Sequence, residues 1–345
     1  MRVLITGGTG WLGFYVTERF LREGYEVICY DSKPSPFPNF IQVDLGKVKV
    51  VRGDILEFSH LLKTAKENEV DGLIHLAFIL NEPLLREFPF SVAHMVNVKG
   101  TMNALEVAKL LNLRFVFVSS GAVFGDRPDA RPLKEDDIRL ENIDRIYAAN
   151  KIMCEALVNS YVSVYGLDAV SMRPGMMYGP GMWMRYPIAV LIESASNGTP
   201  IRLPVGGDMP FDWTYARDAA KAIFLGYKIR PIRHRVFNIS DGRGYTLRET
   251  AEVIKKLIPN AIIEIGPGLV DKSKVDLIGI EELRNFFRAM PLRGPMDGSR
   301  LREELGFKPE YTLESGIAEY LEWLRSQKIK NNTENTPLSL GFGIR

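Results

Sequence analysis

Cysteine is nearly missing from this chain of 345 residues, which has only Cys29 and Cys154. Two thiols make no disulfide framework, and the four histidines (His60, His75, His94 and His234) are scattered, so no Cys/His cluster has metal-ligand spacing. No metal is expected. A net charge of one sign is missing as well: 44 Lys and Arg face 42 Asp and Glu, leaving +2. That balance lacks the basic excess with which proteins track nucleic-acid phosphates, so no nucleic-acid partner is expected. No apolar run approaches the roughly 20 residues that cross a bilayer. Met1-Arg2 leads straight into a strand pattern, which reads as a cytoplasmic protein without a signal peptide. What is present is ordinary for a folded chain: 46% hydrophobic and 25% charged residues. The length suits two lobes, or one large α/β domain with a smaller appendage.

The first half alternates short β-rich runs with longer helical patterns. Candidate strands are Val3–Thr6, Val27–Tyr30, Val48–Arg52, Leu73–Leu76, Phe115–Ser119 and Ala169–Arg173. They are nearly continuous in apolar residues, as strands covered on both faces of a parallel sheet are. Helical patterns over Trp11–Glu23, Phe58–Asn68, Ser91–Leu111 and Ile146–Tyr165 separate them, predicting a doubly wound, Rossmann-type α/β sheet over residues 1–173. From 174 the rhythm changes. Gly and Pro crowd Pro174–Pro187, and helical patterns follow at Ile188–Asn197, Ala216–Lys228, Thr246–Ile258, Ser299–Leu305 and Leu313–Ser326. Residues 174–327 read as a smaller, mostly helical substrate lobe, with Val236–Ile239 returning to the edge of the main sheet. Residues 328–345 read as a loosely held tail.

The first strand runs into Gly7-Gly8-Thr9-Gly10-Trp11-Leu12-Gly13 and then a helix. Without Cβ atoms, such a loop lets backbone N–H groups approach a pyrophosphate at the helix N-terminus. Gly7 would make the turn, Gly10 admit the phosphates and Gly13 seat the helix on the strand. Strand two ends at Asp31, at the distance where a carboxylate holds the adenosine ribose. Its charge repels a 2′-phosphate, so NAD is favoured over NADP, although Lys33 nearby could soften that preference. Asp54, after strand three, could reach the adenine amino group or simply cap a helix.

The strand at Phe115 delivers Ser119-Ser120-Gly121-Ala122 at its carboxyl end, where ligands bind in open α/β sheets. Tyr147 and Lys151, four residues apart at the start of a helix, share one face. A free phenol, with a pKa of about 10, is a poor base at neutral pH. An adjacent ammonium would stabilise its phenolate, and Ser120 could hold a substrate oxygen while Tyr147 removes its proton.

Together these motifs resemble the extended short-chain dehydrogenase/reductase family, the NAD-dependent epimerases and dehydratases, over about Met1 to Ser326. Asp54-Ile55, His75-Leu76-Ala77, Asn97-Val98-Lys99-Gly100-Thr101, Arg173-Pro174 and Tyr178-Gly179-Pro180-Gly181 carry the likeness further. The resemblance implies that Gly7, Gly10, Trp11, Leu12, Gly13, Asp31, Asp54, Ile55 and Ser119 attend the cofactor. It also implies that Leu76-Ala77 passes the cofactor, that Asn97 supports and Pro174 borders its nicotinamide end, and that Ser120, Tyr147 and Lys151 form the catalytic set, with Tyr147 and Lys151 also contacting the cofactor and Lys151 bonding the nicotinamide ribose. Asp218 reads as structural, capping the following helix.

Departures from that family bear on the substrate. Dehydratases place an Asp-Glu pair after the catalytic hydroxyl; here Gly121 and Ala122 stand there, which disfavours 4,6-dehydration. Met176 replaces an Asn and Phe211 an Arg that nucleotide-sugar epimerases carry, removing charge-assisted contacts to a diphosphate. Arg185, Arg202 or Arg293 could substitute. Phe78-Ile79-Leu80, Met176-Met177 and Met182-Trp183-Met184 are bulky and apolar, and inter-lobe packing is the preferred reading for most of them. If some line the pocket, the substrate is smaller or more apolar than a nucleotide sugar. The helices at Ser91–Leu111 and Ile146–Tyr165 are apolar beyond one stripe, which predicts a homodimer. The expected activity is oxidation of a secondary alcohol on a sugar-like substrate, by an epimerase or a net dehydrogenase. A non-catalytic dinucleotide-binding protein is the competing reading.

Overall fold

The computed structural model describes residues 1–80, 90–127, 131–143, 145–271, 273–290 and 294–334. Seven parallel strands form the central sheet. Across it they run Val236–Ile239, Ala169–Pro174, Arg114–Val118, Gly72–His75, Arg2–Thr6, Glu26–Asp31 and Val48–Arg52. All six expected first-half strands are present, and the late strand joins the edge beside Ala169–Pro174. The chain builds outward from Arg2–Thr6 in one direction, then crosses over and builds outward in the other. Arg2–Thr6 and Gly72–His75 are therefore neighbours with diverging connections, paired Thr6 to His75. A crevice opens at such a switch point, outside the carboxyl ends of the strands.

The apolar runs work as both-faced strands must. Val3, Ile5, Val27, Cys29, Ile74 and Val116 pack on one face, beneath helices Trp11–Arg22 and Ala216–Lys228. Leu4, Ile28, Leu73, Phe115, Phe117 and Ala169 pack on the other, beneath Phe58–Glu67, Gly100–Leu110 and Ile146–Tyr165. Alternate residues of each strand thus feed two separate cores. Val48–Arg52 is half exposed and carries Lys49 and Arg52 outward, as a sheet edge does.

The helix expected over Ser91–Leu111 is interrupted. Phe90–His94 and Gly100–Leu110 are α-helical, but Met95–Lys99 between them is a π-helical turn, a wider coil often found at functional sites. The second lobe is also less purely helical than expected. Helices Pro187–Ser196, Leu247–Leu257, Glu281–Ala289 and Leu313–Glu334 are joined by three two-stranded ladders: 176–178 with 213–215, 201–203 with 263–265, and 210–211 with 245–246. These strands are two or three residues long, too short to show a period. The last helix continues to Glu334, beyond the expected end at Ser326; the rest of the tail lies outside the described residues. One apolar core runs without a break from Val3 under the sheet to Ile317 and Leu321 in the last helix. Among the described residues no helix is long and apolar enough to cross a membrane.

Candidate active site

The carboxyl edge of the sheet opens into a cleft of about 320 Å³, within the 300–1,000 Å³ typical of small-molecule sites. Its floor begins at the glycine loop. Gly7 has φ +70°, and a Cβ there would stand 2.8 Å from Ala77 N. A Cβ on Gly13 would stand 2.2 Å from the Gly7 carbonyl. Only glycine permits this approach of turn, helix and neighbouring strand. Gly7, Gly10, Trp11, Leu12 and Gly13 all line the cleft, and the first-turn N–H groups of helix Trp11–Arg22 have no intrahelical acceptors. Trp11 also joins the two lobes, because its indole Nε1 and the Tyr15 hydroxyl both donate to the Pro180 carbonyl, at 2.8 and 2.7 Å. That ties the first helix to the loop after the short strand 176–178.

Asp31 ends its strand beside this loop. Its carboxylate accepts from the Thr9 hydroxyl at 2.9 Å and from Lys33 N at 3.1 Å. Asp54 is exposed and organises its own turn, accepting from Leu56 N at 2.9 Å, while its carbonyl accepts from the Tyr30 hydroxyl. Ile55 is buried, with its side chain under Gly100. Asp31, Asp54, Ile55, Ala77 and Asn97 are outside the set that lines the cleft.

Below the floor, His75 is fully enclosed between two hydroxyls, with Nδ1 2.7 Å from Thr6 Oγ1 and Nε2 3.0 Å from Thr101 Oγ1. Thr101 spends its proton on the Asn97 carbonyl at 2.6 Å. It must therefore accept from His75 Nε2–H, which leaves Nδ1 to accept from Thr6. Burial, and then the charge of Lys151, pull this imidazole down to about 3, so it is neutral. His75 thus stands as a polar strut beneath the cleft. Asn97 brackets Ile79: its Oδ1 accepts from Ile79 N at 2.7 Å and its Nδ2 donates to Ile79 O at 3.0 Å.

Ser119, Ser120, Tyr147 and Lys151 meet in the middle of the cleft, with Leu76 and Pro174. The Ser119 hydroxyl is buried without a hydrogen-bond partner. Ser120 Oγ accepts from Ala122 N at 3.1 Å, which leaves its proton to donate into the cleft. Tyr147 and Lys151 lie one turn apart at the start of helix Ile146–Tyr165. The Lys151 ammonium donates to the Val118 carbonyl at 2.7 Å and lies 5.7 Å from the Tyr147 ring centre. Burial pulls it down to about 7, while Cys154 and Glu155 on the same helix push it up. Glu155 is held by Arg173, which donates to both carboxylate oxygens at 2.8 and 2.6 Å and also to the Glu135 carbonyl. This buried pair bolts helix Ile146–Tyr165 to strand Ala169–Pro174.

Phe78, Leu80, Met176, Met177, Trp183 and Met184 line the far end of the cleft, and Phe78, Met176, Met177, Trp183 and Met184 pack against the two cores as well; Met182 is buried outright. Their loops and short strands have no periodicity from which to read this. Asp218 does not cap its helix. It sits inside the first turn of Ala216–Lys228 and accepts from Glu310 N and Tyr311 N, and burial raises its carboxyl to about 6. Arg185 pairs with Glu193 and Glu282, and Arg202 with Glu264, away from the cleft. Arg293 lies outside the described residues. Phe211 stacks on Trp213 at 4.5 Å in the core. Among the described residues the arginine that does line the cleft is Arg145, which donates to the Ala289 carbonyl and to the Met290 sulfur. Its place two residues before Tyr147 was the available signal.

The family model for the NAD-dependent epimerase/dehydratase family matches residues 3–240. A UDP-glucose 4-epimerase of Mycolicibacterium smegmatis is 27% identical, over 95% of this chain and 99% of its own. Two solved structures share the fold. The UDP-N-acetylglucosamine 4-epimerase of Methanobrevibacter ruminantium superposes with a TM-score of 0.77 at 24% identity, over 94% of this chain and 98% of that one. The Thermus thermophilus UDP-glucose 4-epimerase in complex with NAD gives 0.74 at 24%, over 94% and 99%. With its glycine-bared loop, its acid-ended second strand and its Ser–Tyr–Lys cleft, this chain belongs to the NAD-dependent epimerase/dehydratase family and is an NAD-dependent enzyme.

Proposed function

We propose that this enzyme oxidises a secondary alcohol of a sugar or sugar-like substrate, with Tyr147 as the base. The observation that carries the reading is the convergence of Ser120, Tyr147 and Lys151 in the same cleft as the glycine loop. The cleft suits the dinucleotide. The Ser119 hydroxyl is buried without a partner, and a Cβ on Gly10 would meet nothing within 4 Å beyond the Gly7 carbonyl. Gly7, Gly10, Trp11, Leu12 and Gly13 would hold the pyrophosphate and Asp31 the adenosine ribose. Ser119, Lys151, Leu76, Ala77 and Pro174 would border the nicotinamide half, with Asn97, Asp54 and Ile55 supporting from behind. Bound NAD supplies the acceptor for the hydride that leaves the carbinol carbon.

The protein groups then divide the work. Ser120 donates its hydroxyl proton to the substrate oxygen and orients it. Tyr147 Oη takes the proton of that hydroxyl, and the Lys151 charge favours the phenolate form that can do so. Leu80, Met177, Trp183, Met184 and Tyr186 exclude water. Gly121 and Ala122 carry no group that moves a proton, which supports oxidation without elimination of water. The sugar-like class is supported by relatives named as epimerases, and the apolar wall supports a substrate with an apolar flank. Return of hydride to the opposite face would make an epimerase; release of NADH would make a dehydrogenase. The exposed Phe90, Val92, Met95, Val164 and Tyr165 on the two helices of the second face support a homodimer.

Tyr147→Phe tests the mechanism. Proton transfer by a positioned side chain contributes about 10²–10⁴-fold, and a loss of that size is expected with NAD affinity retained. Undiminished turnover would remove Tyr147 as the base. Stoichiometric NADH from an added alcohol would identify a dehydrogenase, and retained cofactor without net NADH an epimerase.

A further inference from the structure

Phe78 follows strand Gly72–His75 and is half-buried at the cleft. The Lys151 ammonium lies 3.4 Å from the centre of its ring, with the Phe117 ring 4.9 Å away and the Val118 carbonyl at 2.7 Å. The Phe78 ring also stands perpendicular to that of Tyr147, with centres 5.6 Å apart. The next residue, Ile79, is held at both its N–H and its C=O by the Asn97 carboxamide, as a neighbouring strand would hold it. Asn97 is fully buried in the π-helical turn, and its own carbonyl accepts from Thr101 and from the Cys154 thiol. The position of Phe78 is therefore set from behind by groups that never enter the cleft.

An ammonium taken from water needs replacements for its hydration. Here one carbonyl and the negative face of an aromatic ring supply them, and attraction of a cation to such a face grows when both are desolvated. The titratable groups around Lys151 are Tyr147, Cys154 and Glu155 on its own helix and His75 on the strand beneath. His75 is neutral and Glu155 is engaged by Arg173.

We propose that Phe78 is a positioning residue of this site: its ring face holds the Lys151 ammonium charged beside Tyr147, and the Asn97–Ile79 bracket sets that ring in place. The inference rests on the reading of Lys151 and Tyr147 as the catalytic pair.

The test titrates Lys151 directly by NMR in protein labelled with carbon-13 at the lysine ε-carbon, its resonance assigned by loss in Lys151→Met. Four proteins are compared: the native chain, Phe78→Leu, Phe78→Tyr, and a chain carrying trifluorophenylalanine at position 78. Phe78→Leu should lower the protonation constant of Lys151 about tenfold, and the fluorinated ring, which keeps the shape but weakens the charged face, about threefold. Phe78→Tyr should hold it within about twofold. Equal constants in all four would overturn the proposal. Should Phe78→Leu not fold, the near-isosteric fluorinated protein decides. With an oxidisable alcohol in hand, the pH window of turnover should narrow from both sides in Phe78→Leu, since the ammonium is lost earlier and the phenolate forms later; a uniform fall at every pH would overturn the proposal. The NMR readout needs no substrate. A shifted lysine alongside full turnover in Tyr147→Phe would support the cage while removing the proposed function.

Discussion

The two ends of the cleft are built by opposite means. At the cofactor end, backbone approaches backbone, and the polar side chains are largely committed to holding it: Asp31 to Thr9, His75 to Thr6 and Thr101, and Asn97 to Ile79. At the substrate end, Met176, Met177, Trp183 and Met184 present half-buried apolar surface from short strands and turns. Close approach of backbone tolerates almost no change, whereas long thioether side chains repack around different shapes. The first end is suited to one invariant ligand, the second to ligands of more than one shape.

The largest effect should come from the seam between the ends. Arg173→Met leaves Glu155 buried without its cation, and removal of one partner from such a pair costs about 3–5 kcal/mol. Chemical denaturation should register it as a loss of global stability, with both ends of the cleft failing together. If only substrate binding changes, the seam is not a shared support. Next, Gly13→Ala should weaken NAD by about 100-fold or more through the clash with the Gly7 carbonyl, a displacement of the kind that costs roughly that much in a positioned site. Calorimetric titration with NAD measures this; unchanged affinity would mean that the loop can relax and that the cofactor end is as adaptable as the other.

The buried strut gives a pH signature. His75 titrates near 3 in the folded chain but near its ordinary 6.5 when unfolded, so between those values the unfolded state binds the extra proton. Stability should therefore fall as pH drops from about 6.5 toward 3, with a slope from this residue of up to about 1.4 kcal/mol per pH unit. His75→Gln should flatten the slope in denaturation at stepped pH; an unaltered slope would assign the acid sensitivity elsewhere. A smaller change is expected from Asp31→Ala, which should shift the preference for NAD over NADP by about tenfold, as loss of a charged hydrogen-bond partner does. Smallest of all, Met184→Gln should alter substrate KM severalfold with NAD affinity untouched, because loss of about one CH₂ of apolar burial from a half-buried side chain is worth about 0.8 kcal/mol. A matching loss of NAD binding would erase the distinction between the ends.

The same contrast explains what is legible in the sequence. The seven strands are legible because each is a run buried on at least part of both faces, and the glycine loop because only glycine allows its contacts. Tyr147 and Lys151 are legible because a helix repeats every four residues or so, and the strand that carries Ser119 and Ser120 ends at the same rim. Asn97 is legible as part of a motif, but the π-helical turn that aims it at Ile79 has no periodicity of its own. Asp218 misleads because a carboxylate at a helix start looks like a cap, whereas its partners lie at Glu310 and Tyr311, far along the chain. Arg145, and the lining role of the methionines, depend on how loops from both halves converge, which local pattern does not encode.

The return of Ala216–Lys228 and Val236–Ile239 to the sheet also fixes what can be cut away. A fragment ending at residue 173 would keep the glycine loop, the paired serines and the catalytic helix, yet it would bare one layer beneath the missing helix and leave Ala169–Pro174 as a raw border. Such a piece should aggregate instead of surviving as a miniature coenzyme carrier, so trimming or shuffling of this enzyme must treat the whole chain through its last helix as one indivisible piece.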